Sequence, residues 1–124
     1  MARNRSCPCG SAKAYQACCG PFHAGRSTAP TAETLMRSRY SAFVHHEADY
    51  LAATWHPSTR PAQLHLDPDR VWTHLEVVRV RGGAADDPRG MVEFRAHHTT
   101  GVQAERSTFL HEDGRWFYLD SEPL

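Results

Sequence analysis

All four cysteines of this 124-residue chain lie between residues 7 and 19, as Cys7-Pro8-Cys9 and then the neighbours Cys18-Cys19. Thiols crowded this closely have few ways to be satisfied. A disulfide wants Cα atoms about 5.5 Å apart and a torsion near 90°, which neither vicinal cysteines nor a C-x-C pair reaches without strain. A bridge across the gap between the pairs stays open as the weaker alternative. A tetrahedral Zn²⁺ instead asks for four soft donors at about 2.3 Å from sulfur, which one pair on a tight turn and another at a helix end can supply. Gly10 frees the turn, and Ser11 is placed to cap a short helix over 12–17 that would return Cys18 and Cys19 toward Cys7 and Cys9. The spacing favours a structural Zn²⁺ held by Cys7, Cys9, Cys18 and Cys19, with no ligand position left for water, over a thiol redox role. His23 is the one competing ligand and reads instead as a surface histidine on the exit loop.

The run Cys7-Pro8-Cys9-Gly10-Ser11, Tyr15, Cys18-Cys19-Gly20 resembles the SEC-C motif, the zinc-binding module named from the C-terminal tail of the preprotein translocase ATPase. In that tail the fourth ligand is histidine; here Cys19 takes its place, and Ala12 stands where a glycine is usual. The resemblance implies zinc. It implies a function only loosely, because the module is attached to many proteins.

Charge divides unevenly along the chain. Residues 1–26 carry Arg3, Arg5, Lys13 and Arg26 with no acid, whereas residues 27–124 hold ten basic against fourteen acidic side chains. That is a modest basic patch on an acidic body, not the dense basic surface of a nucleic-acid binder. No apolar run approaches the ~20 residues of a membrane span, and residues 1–6 lead into cysteines rather than a hydrophobic signal core. The expectation is a cytoplasmic protein with no membrane partner, in a compartment that keeps thiols reduced.

The length suits one compact domain, over 26–124, beyond a small metal module at 1–25. Residues 21–30, with three breakers, read as a linker. Thr31 is a good N-cap with Glu33 in the first turn, and apolar residues at three- and four-residue spacing predict a helix over 32–46. Arg37, Ser38, Ser41 and His45 fall on its wet side. A second helix over 47–56 should stop before Pro57; residues 58–70 allow at most a short helix near 62–66, with Leu64 and Leu66 dipping into the core. The rest changes period to strands at 71–80, 91–98, 102–111 and 115–120, with Asp113-Gly114 as a two-residue hairpin signal. That hairpin sets Phe109 opposite Tyr118 and His111 opposite Trp116 on one face, and Leu110 opposite Phe117 on the other. Apolar groups on both faces predict a curved sheet or a homodimer. Most of the nine histidines read as solvated.

The fold class is therefore α+β, two to three helices on a four-stranded antiparallel sheet. That order resembles the cone-shaped nuclear transport factor two-like superfamily. With the SEC-C motif in front, then residues 29–43, Tyr50-Leu51, Thr54-Trp55-His56-Pro57 and Gly114-Arg115-Trp116-Phe117-Tyr118, nearly the whole chain resembles the bacterial YchJ family. This resemblance implies fold and metal but no activity.

Two accounts of the polar and aromatic residues in the helices follow. In the first they only pack, with Arg37 or Arg39 paired to a carboxylate such as Asp49 or Glu76. In the second, the cavity that cone folds leave between helices and sheet holds a small molecule, lined by Arg39, Tyr40, Trp55, His56, Trp72, Phe94, Glu105, Ser107, Phe109, Trp116 and Tyr118. His56 and Glu105 are the acid–base candidates; no nucleophile elbow, phosphate loop or paired catalytic carboxylates appear. Three functional classes result: a zinc-dependent adaptor whose SEC-C patch, with Arg3, Arg5, Lys13, Tyr15 and Phe22, docks an acidic protein partner; a small-molecule binder or enzyme using the cavity; and, last, a thiol redox protein.

Overall fold

The computed structural model describes residues 6–124. The expected sheet forms as a four-stranded antiparallel meander in the order β1 (Trp72–Gly82), β2 (Arg89–His98), β3 (Gly101–Glu112) and β4 (Arg115–Pro123). Asp113 and Gly114 take φ of 53° and 76°, and both signs being positive suits the two-residue turn that follows strand twist. Phe109 pairs with Tyr118, Leu110 with Phe117 and His111 with Trp116, the register read from the hairpin. Register shifts at Val77/Arg79 and at Thr108/Phe109 each insert an extra residue, Val78 and Leu119. Such bulges bend and twist a sheet, so the sheet can curl around one long helix.

That helix is α2 (Ala32–His45), preceded by the short α1 (Gly20–His23) and followed by α3 (Ala48–Ala53). Thr31 caps α2, its hydroxyl accepting from the Thr34 amide at 3.1 Å. Ala32, Leu35 and Met36 pack with Val92, Phe109 and Trp116 as the core. The helix start sits on two glycines. The Ala32 amide donates to the Gly83 carbonyl, and a Cβ on Gly90 would lie 2.5 Å from the Gly83 Cα and 2.9 Å from the Ala32 Cβ.

Three expectations need correction. Residues 12–17 do not form a helix capped by Ser11; a single 3-10 turn covers Tyr15–Ala17, without a side-chain cap. The linker begins with α1, Pro21 being tolerated in a first helical turn. The helix expected over 47–56 ends at Ala53 because the chain beyond it is drawn out along the free edge of β4: the His56 amide donates to the Tyr118 carbonyl and the Tyr118 amide to that of Thr54. At 62–66, where the sequence allows at most a short helix, the chain is irregular, with Leu64 and Leu66 half-buried.

The expected wet side of α2 holds for His45, which is exposed, and in part for half-buried Arg37, but not for its two serines. Ser38 and Ser41 are fully buried: Ser38 Oγ meets the Leu35 carbonyl and Tyr50 Oη with His23 at its own carbonyl, and Ser41 Oγ meets Cys7 Sγ. Among the described residues no helix is long and apolar enough to cross a membrane.

Candidate metal centre and cavity

The turn at Cys7-Pro8-Cys9 and the 3-10 turn before Cys18 bring the four Sγ atoms within 4.8 Å of one another. Cys9 and Cys18 are 3.5 Å apart and Cys18 and Cys19 4.0 Å, bracketing the roughly 3.8 Å edge of a sulfur tetrahedron around a zinc-sized ion. All four cysteines are free thiols, and three of them are buried. Four soft donors converging on one point fit a metal ion, and these residues would hold it.

Without an ion the thiols compete for protons. Hydrogen bonds from Cys19 and Cys9 hold Cys7 well below the ordinary thiol range. Cys19 is pushed far up by its hydrogen bonds to Cys7 and Cys9 and by burial. Cys9, although Cys19 donates to it, rises to about 11 beside Cys7 and in a buried position. A cation at the centre would remove this mutual repulsion, since bound thiols lose their protons.

Outside the sulfurs lies a shell that ties the motif to α2. Ser41 Oγ is 3.7 Å from Cys7 Sγ, and Ser11 Oγ is 3.1 Å from Cys18 Sγ. Arg37 donates from Nη1 to the Cys9 carbonyl at 2.6 Å and from Nε to Glu33 at 2.9 Å. His23 is not the expected surface residue: one ring nitrogen meets Tyr15 Oη at 2.6 Å and the other the Ser38 carbonyl at 2.9 Å. It is a brace rather than a ligand. Tyr15 and Phe22 are half-buried, Lys13 is exposed, and the basic residues Arg3 and Arg5 lie outside the described residues.

On its opposite side α2 walls a cavity of about 390 Å³ under the concave sheet. Arg39, Tyr40, Trp55, Trp72, Phe94, Glu105, Ser107, Phe109 and Tyr118 line it together, as expected. His56 and Trp116 do not. The edge pairing that ends α3 carries His56 away to the outside, where it meets Ser58 and Glu112 and lies over Phe117. Trp116 is one strand position beyond the cavity: it lines a separate groove with Phe22, Tyr50 and Arg115 and donates to the Pro30 carbonyl.

The sequence reading missed the rim, formed by His46 and by His65, Leu66, Asp67 and Arg70. The 65–70 segment has no periodicity that could have signalled it. Arg70 stands over Trp72 and reaches Gln103, which donates to Glu105.

Arg39 is the central polar group of the wall and 6% exposed. Its Nη1 donates to the Leu51 carbonyl at 2.8 Å and to Thr54 Oγ1 at 2.6 Å, and its guanidinium carbon stands 4.5 Å from the Tyr118 ring centroid and 5.3 Å from that of Trp55. Burial lowers its pKa to about 10. Of the two arginines, one of which was expected to meet a carboxylate, Arg37 does so, with Glu33 rather than Asp49 or Glu76; Arg39 has no carboxylate partner among the described residues, and Glu76 faces Arg95 and His97 across the strands.

Residues 31–121 match the family described as YchJ, middle NTF2-like domain, and residues 3–21 match the SEC-C motif. The chain belongs to the YchJ-like family. A UPF0225 protein of Streptomyces coelicolor is 53% identical over 118 residues, 95% of each chain, and one of Chromobacterium violaceum is 52% identical over 122 residues, covering 92% of this chain and 90% of the other. The solution structure of a SEC-C motif containing protein from Rhodopseudomonas palustris superposes with a TM-score of 0.79 at 33% identity, over 97% of this chain and 99% of that one. The crystal structure of a SEC-C motif containing protein from Psychrobacter arcticus gives 0.78 at 31%, covering 97% and 84%. The α+β, NTF2-like architecture of this YchJ-like chain is thus shared with solved relatives.

Proposed function

We propose that this protein binds a small organic molecule in the cavity beneath α2, and that Cys7, Cys9, Cys18 and Cys19 hold a structural Zn²⁺ that fixes the motif to the back of the same helix. The observation that carries the reading is the cavity wall: Arg39, Glu105 and Ser107 sit among Tyr40, Trp72, Phe94 and Phe109 around open space. A buried hydrogen-bonded polar group is about as stabilising as a well-packed apolar replacement of the same shape, so a merely structural core would gain nothing from polar side chains ranged around open space. A few convergent polar groups in an apolar hollow are what small-molecule sites look like. Binding is favoured over catalysis because both Glu105 oxygens already accept, from Ser121 and from Gln103, and His56 is elsewhere.

The adaptor reading would place an acidic partner on the exposed face of the motif. Tyr15 and Phe22, expected on that face, instead turn toward His23, His45 and the Trp116 groove. The test is native mass spectrometry of the full-length protein freshly purified from the cytosol. We expect one Zn²⁺ per chain and a small retained mass that is absent from a cavity-filling Ala96→Phe variant. Zinc without any retained mass, together with no stabilisation by any member of a metabolite panel, would overturn the cavity reading.

A further inference from the structure

We propose that the ligand is a monocarboxylate with an apolar, planar body, its carboxylate seated on the free edge of the Arg39 guanidinium. The inference rests on the cavity reading above and adds the charge and shape of the occupant.

The charge argument starts from Arg39. Nη1 spends its donors on the Leu51 carbonyl and Thr54 Oγ1, while Nε and Nη2 have no protein acceptor among the described residues. Neither is sealed away unsatisfied, since every fully buried side-chain nitrogen and oxygen of the described residues has a partner. These donors therefore open into the cavity that Arg39 lines. Among the described residues no carboxylate lies within ion-pair reach of it. A buried cation that meets only carbonyl, hydroxyl and ring faces is incompletely compensated. The Nε–Nη2 edge of a guanidinium is the fork that takes a carboxylate in two parallel hydrogen bonds.

The rest of the wall decides what else the occupant carries. Glu105 also lines the cavity, so a dianion would bring a second negative charge toward it. Its two oxygens are satisfied by Ser121 and Gln103, so no ammonium group is called for. Ser107 is buried on the sheet side with no side-chain partner among the described residues and can donate to the carboxylate or to one further polar atom. Trp72, Phe94 and Phe109 leave mainly ring faces and edges for the remainder, which suits a flat apolar body. About 390 Å³ is at the small end of the usual range for ligand sites, roughly 300–1,000 Å³.

The experiment titrates the full-length, zinc-loaded protein with size-graded carboxylates (benzoate, phenylacetate, indole-3-acetate, hexanoate) and with the primary amide of each, followed by protein-observed NMR. The amides keep the shape and lose the charge. We expect at least one aromatic acid to bind with shifts at Arg39, Trp72 and Phe94, and its amide to bind about tenfold or more weakly, the loss of one charge-assisted bidentate pair. Arg39→Lys, which keeps the charge and loses the fork, should weaken the acid similarly, and Ser107→Ala should do so to a smaller degree. Acids and amides binding equally would overturn the carboxylate assignment and leave the cavity reading standing. Binding of neither overturns both. The comparison of acid with amide is made on the unmutated chain and decides the matter even if Arg39→Lys fails to fold.

Discussion

Tyr40 and Arg39 are adjacent on α2 and are moved by the same burial in directions that have opposite consequences. Burial pushes the Tyr40 hydroxyl up to about 12, and partial burial with Glu47 nearby takes Tyr15 also to about 12; Tyr50 and Tyr118 are raised by burial as well. A tyrosine raised on folding stabilises the native state below its unfolded value of 10.0, and this is lost as pH climbs through the folded value. Arg39 runs the other way: lowered from 12.5 to about 10, it penalises the native state at neutral pH and relents as pH rises between those two values. Four tyrosines outnumber one arginine, so stability should fall in the alkaline range. The urea midpoint of the metal-loaded protein is expected to drop between about pH 10 and about pH 12, the unfolded and folded values of these tyrosines, with a shallower drop in Tyr40→Phe. A midpoint that holds or rises over that range would show that the arginine dominates.

At the scale of elements, the join between α2 and the β1–β2 loop leaves no room for a side chain at Gly90. Gly90→Ala would place a methyl 2.5 Å from the Gly83 Cα, backbone that cannot step aside without also dislodging the Ala32 amide from the Gly83 carbonyl. We expect a cost of about 1–3 kcal/mol, larger than the roughly 1 kcal/mol from losing the cap in Thr31→Ala, both read by thermal unfolding; equal or reversed costs would show that the join relaxes freely. The contrast also shows what sequence can reveal. Thr31 and the hairpin at Asp113-Gly114 are local signals, so the cap, the turn and the strand register could all be read directly. The end of α3 at Ala53 could not, because it is decided by the Tyr118 backbone, which competes for the residues around His56 and takes that side chain out of the cavity. Ser38 and Ser41 looked solvated for the same kind of reason: they are covered from outside the helix, Ser38 by His23 and Tyr50 and Ser41 by Cys7, and amphipathic periodicity records only whether a face is polar. The cysteines were legible as a metal site because spacing alone constrains four thiols. Arg39 was legible as a polar wall residue but not as an unpaired one, since pairing is a property of the assembled fold.

For the molecule as a whole, α2 is a shared wall. One side holds Arg37, Ser38 and Ser41 against Cys9, His23 and Cys7; the other gives Met36, Arg39, Tyr40 and Phe43 to the cavity. Among the described residues the cysteine cluster has no apolar core of its own beyond its sulfurs, with Tyr15 and Cys18 packed against the three buried thiols. The proposed metal would supply much of its order, as small metal domains generally require, whereas the sheet has its own core around Leu35, Val92, Phe109 and Trp116. Stripping the ion with a chelator, or replacing Cys9 and Cys18 with serine, should release residues 6–23 and loosen α2 at Arg37, Ser38 and Ser41 while leaving the strands paired. Amide hydrogen exchange resolves this directly: protection should vanish across the motif, fall along α2 and persist in β2 and β3. Affinity for the cavity ligand should fall in the same samples, because the helix that carries Arg39 would no longer be clamped from behind. If the strands lose protection together with the motif, the metal holds the entire fold. If α2 keeps full protection, the motif and the cavity are independent, and the ion does not act through the helix between them.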